Sequence, residues 1–313
     1  RGPRVKIRRL ENKLGIHGSP TCEIFFDDAP AKLVGQRQRG LVTYVMSLMN
    51  GARVGIAAQS LGIGEAAFRV ARDYAHSRKQ FGTAIENFPA LRELIADMHV
   101  DLLAARSLTY HASFCVDIEN GALRKVELGT VEDADEEKRL RKEARKYKRV
   151  NGLLTPMCKY YASEMSMRVA NGAIAVLGGS GYMKDYPLER HLRDSRITTI
   201  YEGTSQLQIV AAVRGVTSGT AVNHLRTLLE GDWPEELAGM VERIEAGAAL
   251  LEEASAFAKG QGTEYMDLMG RRLVDSAIAL IVGALFCREA RRNESRRPVA
   301  ARWLATKLPE VRM

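Results

Sequence analysis

The spacing of apolar residues changes character near residue 40. Before it, Cys22–Phe26 (CEIFF) is a short β-prone run bounded by Gly18-Ser19-Pro20 and Asp27-Asp28. One or two strands do not form a stable sheet by themselves. Residues 1–36 therefore read as the tail of a β domain. From Gly40 the period becomes helical. Leu41, Tyr44, Val45, Leu48, Met49 and Ala52 recur at three and four residues and predict one apolar stripe. Phe88, Leu91, Ile95, Met98, Leu102, Ala105 and Leu108 predict a second helix, with Pro89 in its first turn, where proline is tolerated. A third is expected from about Thr155 to Leu177, with Met165, Val169, Ala173 and Val176 on one face, and a fourth from near Thr204. Long helices in one block suggest a helical bundle over 37–219.

Two segments depart from this pattern. Residues 119–149 are highly charged, acidic over 132–137 and almost wholly basic from Lys138 to Arg149. No apolar face of useful width is visible there, which predicts an exposed helix or a mobile excursion. Beyond Gly219, the patterns Pro234–Lys259 and Thr263–Asn293, separated by Gly260-Gln261-Gly262, predict an antiparallel helical hairpin within 220–313.

Composition sharpens the picture. Apolar residues make up 46% of the 313-residue chain, enough for a sizeable core, while aromatics are only 6%. The formal charge of +8 admits an anionic partner. The near absence of stacking aromatics from the basic stretch argues against a nucleic acid. Cys22, Cys115, Cys158 and Cys287 form no CxxC pair, and the histidines show no HExxH. The expectation is buried free thiols in a reducing compartment and no metal site. The longest apolar run, Ala277–Cys287, is about half a bilayer span. The sequence thus predicts a cytoplasmic protein without a membrane span.

The candidate chemistry lies in Leu177–Gln208. Gly178, Gly179 and Gly181 end the third helix and clear side chains from the path of a ligand. Arg190, Arg193 and Arg196 alternate with acidic residues, as on a salt-bridged helix surface. Glu202 follows the short apolar run Ile197–Ile200 and precedes Gly203, and Thr204 or Ser205 can cap the last bundle helix. A carboxylate in a glycine-flanked turn beside a buried run is well placed for acid–base work.

The ordered motifs LGIHGSPT (Leu14–Thr21), YAHSRKQFG (Tyr74–Gly82), GGSGY with YPLERHLRDSRI, and IYEGTSQLQ (Ile200–Gln208) together resemble the acyl-CoA dehydrogenase family, over about residues 5–217. The resemblance implies an all-α fold: the family's C-terminal four-helix bundle, a short β remnant of the middle domain and an extra C-terminal helical hairpin, as in larger bacterial members. It implies FAD-dependent α,β-dehydrogenation of an acyl-CoA thioester. Glu202 matches the base that removes the α-proton while the β-hydride passes to flavin N5. Some members carry the base on the first bundle helix, but the matching Asn50-Gly51-Ala52-Arg53 has no carboxylate. Arg53 and Gly203 match the substrate pocket. Arg78, Gln80 and Phe81 match residues that reach the FAD of a neighbouring subunit, as do Gly178 and Gly179. Thr204 and Gln206 match contacts to the adenine half of FAD in the subunit supplying Glu202. A glutamine that often faces FAD two residues before LGG is replaced by Ala175. The implied partners are electron-transfer flavoprotein and further copies of the chain, as homodimer or homotetramer. Rival readings are an acyl-CoA oxidase and a truncated or recruited non-catalytic relative with a nucleic-acid-binding or structural role.

Overall fold

The computed structural model describes residues 4–131 and 133–311. Strands β1 (Val5–Leu10) and β2 (Cys22–Phe26) form an antiparallel hairpin with Val5 opposite Phe26 and Leu10 opposite Cys22. It is held to the helical body by the segment between the strands. Arg193 Nη1 donates to the Leu14 carbonyl at 2.8 Å, and the Ile16 N–H donates to Asp194 Oδ1 at 2.5 Å. Gly15 makes this close approach possible, since a Cβ there would lie 2.7 Å from the Arg193 backbone.

A π-helical turn at Gly40–Val45 leads into α1 (Met46–Ser77). The minimal hairpin β3 (Lys79–Gln80) and β4 (Thr83–Ala84) follows, then α2 (Pro89–Glu127), α3 (Ala134–Leu177), the single turn α4 (Gly179–Tyr182), α5 (Leu188–Arg196) and α6 (Ser205–Thr217). Helices α1, α2, α3 and α6 pack as the expected bundle. Met98, Leu102, Ala105 and Leu108 of α2 and Met165, Val169, Ala173 and Val176 of α3 are all buried. The stripe before Arg53 behaves differently. Leu41, Tyr44, Val45 and Leu48 are exposed, and the side chain of Met49 lies outside the described set.

The third helix begins about twenty residues earlier than its apolar pattern indicates, and the charged stretch is part of it. Asp133 caps α3 by accepting from the Asp135 N–H at 3.0 Å, and Asp135, Glu136 and Glu137 complement the dipole of the first turn. Arg141 pairs with Glu137 at 2.6 Å. The seam facing α2 is narrow: Leu140 and Ala144 bury against Ala122, with Val126 and Val131 beside them. Thr155-Pro156 looks like a cap followed by a first-turn proline, yet Pro156 lies inside the continuous helix.

The C-terminal region holds more than a hairpin. Helices α7 (Thr220–Leu229) and α10 (Arg297–Val311) flank the expected pair α8 (Glu235–Gly260) and α9 (Thr263–Arg292). Their apolar faces share one core cluster with the bundle. Trp303 of α10 is buried, donates its indole N–H to the Ala279 carbonyl at 2.9 Å, and stands edge-on to Phe286 and to Tyr161 of α3. Among the described residues, no helix is long and apolar enough to cross a membrane.

Candidate functional site

The turn Ile200–Thr204 joins the helical turn Ile197–Thr199 to α6. Thr204 is the cap, its hydroxyl accepting from the Leu207 N–H at 3.4 Å. Glu202 and Gly203 both occupy left-handed backbone, with φ of 53° and 90°. For a residue bearing Cβ this conformation costs about 1–2 kcal/mol, so contacts must hold it. Gln208, fully buried one turn into α6, donates its side-chain N–H groups to the carbonyls of Glu202 and Gly203, both at 3.0 Å. Lys159, fully buried on α3, donates to the same Gly203 carbonyl at 2.7 Å. A Cβ on Gly203 would come within 2.7 Å of the Gln208 amide nitrogen and push aside the side chain that latches the turn.

Charge converges on this turn. Burial pulls the Lys159 ammonium down to about 8, with Arg53 pushing the same way and Glu164 and Glu202 opposing. Burial also lowers Arg53, half-buried on α1, against the field of Glu202. Tyr201 donates its hydroxyl to Gln59 of α1, and burial raises its pKa. Ser205 donates to Glu164 at 2.6 Å. The Glu202 carboxyl group is thus carried by a turn braced from α1, α3 and α6, with two cations in its field. Such an arrangement can position a base and stabilise negative charge developing beside it.

A second set of expected residues lies at the far end of α1. Arg78 follows the helix, and Lys79 pairs with Ala84 and Gln80 with Thr83. Phe81 and Gly82 both have left-handed φ, 51° and 85°, which is the geometry of a type I′ turn. It presents Phe81 to solvent at 94% exposure, with Arg78 and Gln80 also exposed. The Tyr74 hydroxyl donates to Ser180 Oγ at 3.4 Å and its ring meets Tyr186 edge-on, so the Gly178–Gly179 turn lies at the same end. Gly178 has φ of 59°, and a Cβ at either glycine would meet nothing within 4 Å. This surface offers bare backbone, a guanidinium and an aromatic ring.

The structure therefore gathers Arg53, Glu202 and Gly203 at one site, with Thr204 and Gln206 exposed on the adjoining turn of α6. It places Arg78, Gln80, Phe81, Gly178 and Gly179 at another. Twenty-five residues of continuous helix separate Arg53 from Arg78, about 37 Å at 1.5 Å per residue. Lys159, Gln208 and Glu164 escape a reading of the sequence. The signal available was a lone lysine inside the apolar run Pro156–Tyr161.

The fold also assembles a cluster that the sequence does not announce. No Cys/His cluster was foreseen, yet His111 and Cys115 of α2 and His224 of α7 bring their donor atoms within 4.8 Å of one another. His111 and His224 share a hydrogen bond, Nε2 to Nε2, at 2.8 Å, and Cys115 Sγ lies 3.8 Å from His111 Nε2. Burial drives both imidazoles toward the neutral form, His111 to about 4 and His224 to about 3. His111 and Cys115 stand four residues apart in the sequence, but His224 comes from a helix with no sequence link to them.

Comparison with known proteins adds a second line. The family model for the acyl-CoA dehydrogenase C-terminal domain matches residues 54–206, and a further model, acyl-CoA dehydrogenase C terminal, matches 217–302. An acryloyl-CoA reductase (NADH) from Anaerotignum propionicum is 39% identical over 217 residues, 68% of this chain and 48% of that protein. An acyl-CoA dehydrogenase from Bacillus subtilis is 38% identical over 221 residues, 70% of this chain and 50% of its own length. The chain spans about half the length of the curated relatives it matches. The solved structure of Caenorhabditis elegans ACDH-11 in complex with C11-CoA is similar over 97% of this chain and 51% of that one, at 26% identity and a TM-score of 0.79. That likeness extends through the C-terminal helices.

Proposed function

The chain belongs to the acyl-CoA dehydrogenase family, and on that premise we propose that it serves FAD-dependent α,β-dehydrogenation of an acyl-CoA thioester with Glu202 as the base. The observation that supports this most is the strained Glu202 turn, latched by Gln208 and Lys159 and lying in the field of Arg53. A surface glutamate has no need of such bracing.

In this reading the Glu202 carboxylate accepts the proton from the α-carbon. The Glu202 backbone N–H polarises the thioester carbonyl, which makes that proton acidic enough to move. Lys159 and Gln208 are positioning residues: by holding the carbonyls of residues 202 and 203 they fix where the carboxylate and that N–H point. Arg53 balances the charge that gathers as the proton leaves. FAD, when bound, would supply the acceptor for the β-hydride, and an electron-transfer flavoprotein is the proposed onward acceptor.

The cofactor half-site fits this role. Arg78 suits a pyrophosphate, since a guanidinium fork pairs with such an anion. The bare Gly178–Gly179 backbone lets a flat group approach, and Phe81 offers it a ring face. Because this half-site lies about 37 Å along α1 from Arg53, it serves a different active site from the Glu202 of its own chain. A second copy supplies the complementary half, and the assembly is at least a dimer.

The test is anaerobic mixing of the purified flavoprotein with a panel of acyl-CoA thioesters. Bleaching of the flavin band is expected, with the rate reduced by more than about a thousandfold in Glu202→Gln, as for loss of a general base. Equal bleaching in the variant would move the base elsewhere.

A further inference from the structure

We propose that His111, Cys115 and His224 form a binding site for a thiophilic divalent cation of the zinc class, at the junction of α2 and α7 and apart from the Glu202 turn. The two contributions from α2 stand four residues apart, so they lie one above the other on the same helix face. His224 closes the set from α7. Two imidazoles and one thiolate match the borderline-soft preference of zinc, and three protein ligands leave a fourth position open.

The distances are close to those a metal needs. With metal–nitrogen bonds of about 2.0 Å and a metal–sulfur bond of about 2.3 Å, tetrahedral ligands lie about 3.3 Å (N to N) and about 3.5 Å (N to S) apart. The observed 2.8 Å between the imidazole nitrogens and 3.8 Å between Cys115 Sγ and His111 Nε2 differ from these by about half an ångström or less, and the three donor atoms all lie within 4.8 Å of one another. The helix backbone at Cys115 is fixed: Asn151 of α3 donates to its carbonyl at 3.1 Å and to Glu119 at 2.7 Å.

Access and the fourth ligand come from the same place. His224 is one wall of a cavity of about 420 Å³, lined also by Lys142, Arg145, Lys146 and Arg149 of α3 and by Asn223. Lys146 and Arg288 are the cations whose fields reach His224. Their charge opposes a bare dication, and it favours a metal carrying the Cys115 thiolate and an anion in its open position. On binding, the metal–sulfur bond forms as the Cys115 thiol releases its proton to solvent. No electron is transferred.

The experiment uses the metal-free chain and Zn²⁺, followed by competition with a chromophoric chelator, and Co²⁺ as the spectroscopic probe. Expected are stoichiometric binding and a thiolate-to-cobalt charge-transfer band. Cys115→Ser abolishes the band, and His224→Gln weakens Zn²⁺ by more than about tenfold. Cys22→Ser, at the partly exposed thiol of β2, leaves both unchanged. Circular dichroism confirms that each variant keeps its helix content. Should Cys115→Ser not fold, His111→Gln is read in its place with the same expected loss of band and affinity. Weak binding that survives His224→Gln, or a band that disappears with Cys22→Ser, overturns the proposal.

Discussion

Glu202 occupies a backbone region that disfavours any residue with a Cβ, and side chains distant in sequence keep it there. Of these, Lys159 has the clearest thermodynamic signature. Its ammonium is lowered to about 8 in the fold, against about 10.4 for a free lysine. The unfolded chain therefore binds the proton more tightly. The cost is fully present below pH 8 and fades as pH rises toward 10.4, so this group makes stability increase across that window, by on the order of 3 kcal/mol. Urea denaturation at pH 7.5 and pH 10 should show that gain in the native chain and not in Lys159→Met. An identical pH dependence in both would mean that Lys159 carries no such burden. Glu202 was legible in the sequence through the order of its neighbours. Lys159 and Gln208 were not, because their roles depend on where α3 and α6 lie relative to the turn, and helical periodicity carries no such information.

At the level of elements, α3 shows how a narrow seam escapes a search for a broad one. A globular helix usually buries a wide apolar stripe, whereas two long helices can pair along a seam of one or two residues per turn. Leu140 and Ala144 supply such a seam against Ala122, and the charges around them are solvated or paired along the helix. Pro156 compounds the difficulty, since proline marks a helix start more often than an interior. The extension beyond the bundle rests on this small cluster. Leu140→Ala should cost about 2 kcal/mol locally, and amide exchange should quicken over residues 119–145 while the α3 segment 157–177 keeps its protection. Uniform acceleration along α3 would show that the extension is not a separable unit. Helix α2 and the pair α8 and α9 were legible because each repeats its apolar residues at helical spacing over several turns, whereas α6 was announced by its cap at Thr204 and α1 by a stripe at Leu41–Leu48 that the fold leaves exposed. The short α7 and the terminal α10 carry weaker patterns. They are ordered by the shared core, above all through Trp303.

At the scale of the molecule, the C-terminal helices are continuous with the bundle core rather than appended to it, and a family model of their own spans residues 217–302. The exposed stripe at Leu41–Leu48 precedes Arg53 and so stands at the end of α1 that lies in the field of Glu202. The opposite end of α1 carries the Arg78 hairpin and the Gly178–Gly179 turn. The motifs that announce these two regions are equally visible in the sequence, but a sequence does not say that one continuous helix keeps them apart. That separation is the central claim: each active site takes Glu202 from one copy of the chain and Arg78 from another. It is tested most directly by mixing two inactive flavoprotein variants, Glu202→Gln and Arg78→Ala, dissociating and reassembling them together. Random reassortment makes half of the dimers hybrid, each with one intact site, and dehydrogenation should return to about a quarter of the native rate. A mixture that stays as inactive as its parents would contradict the division of the site between subunits.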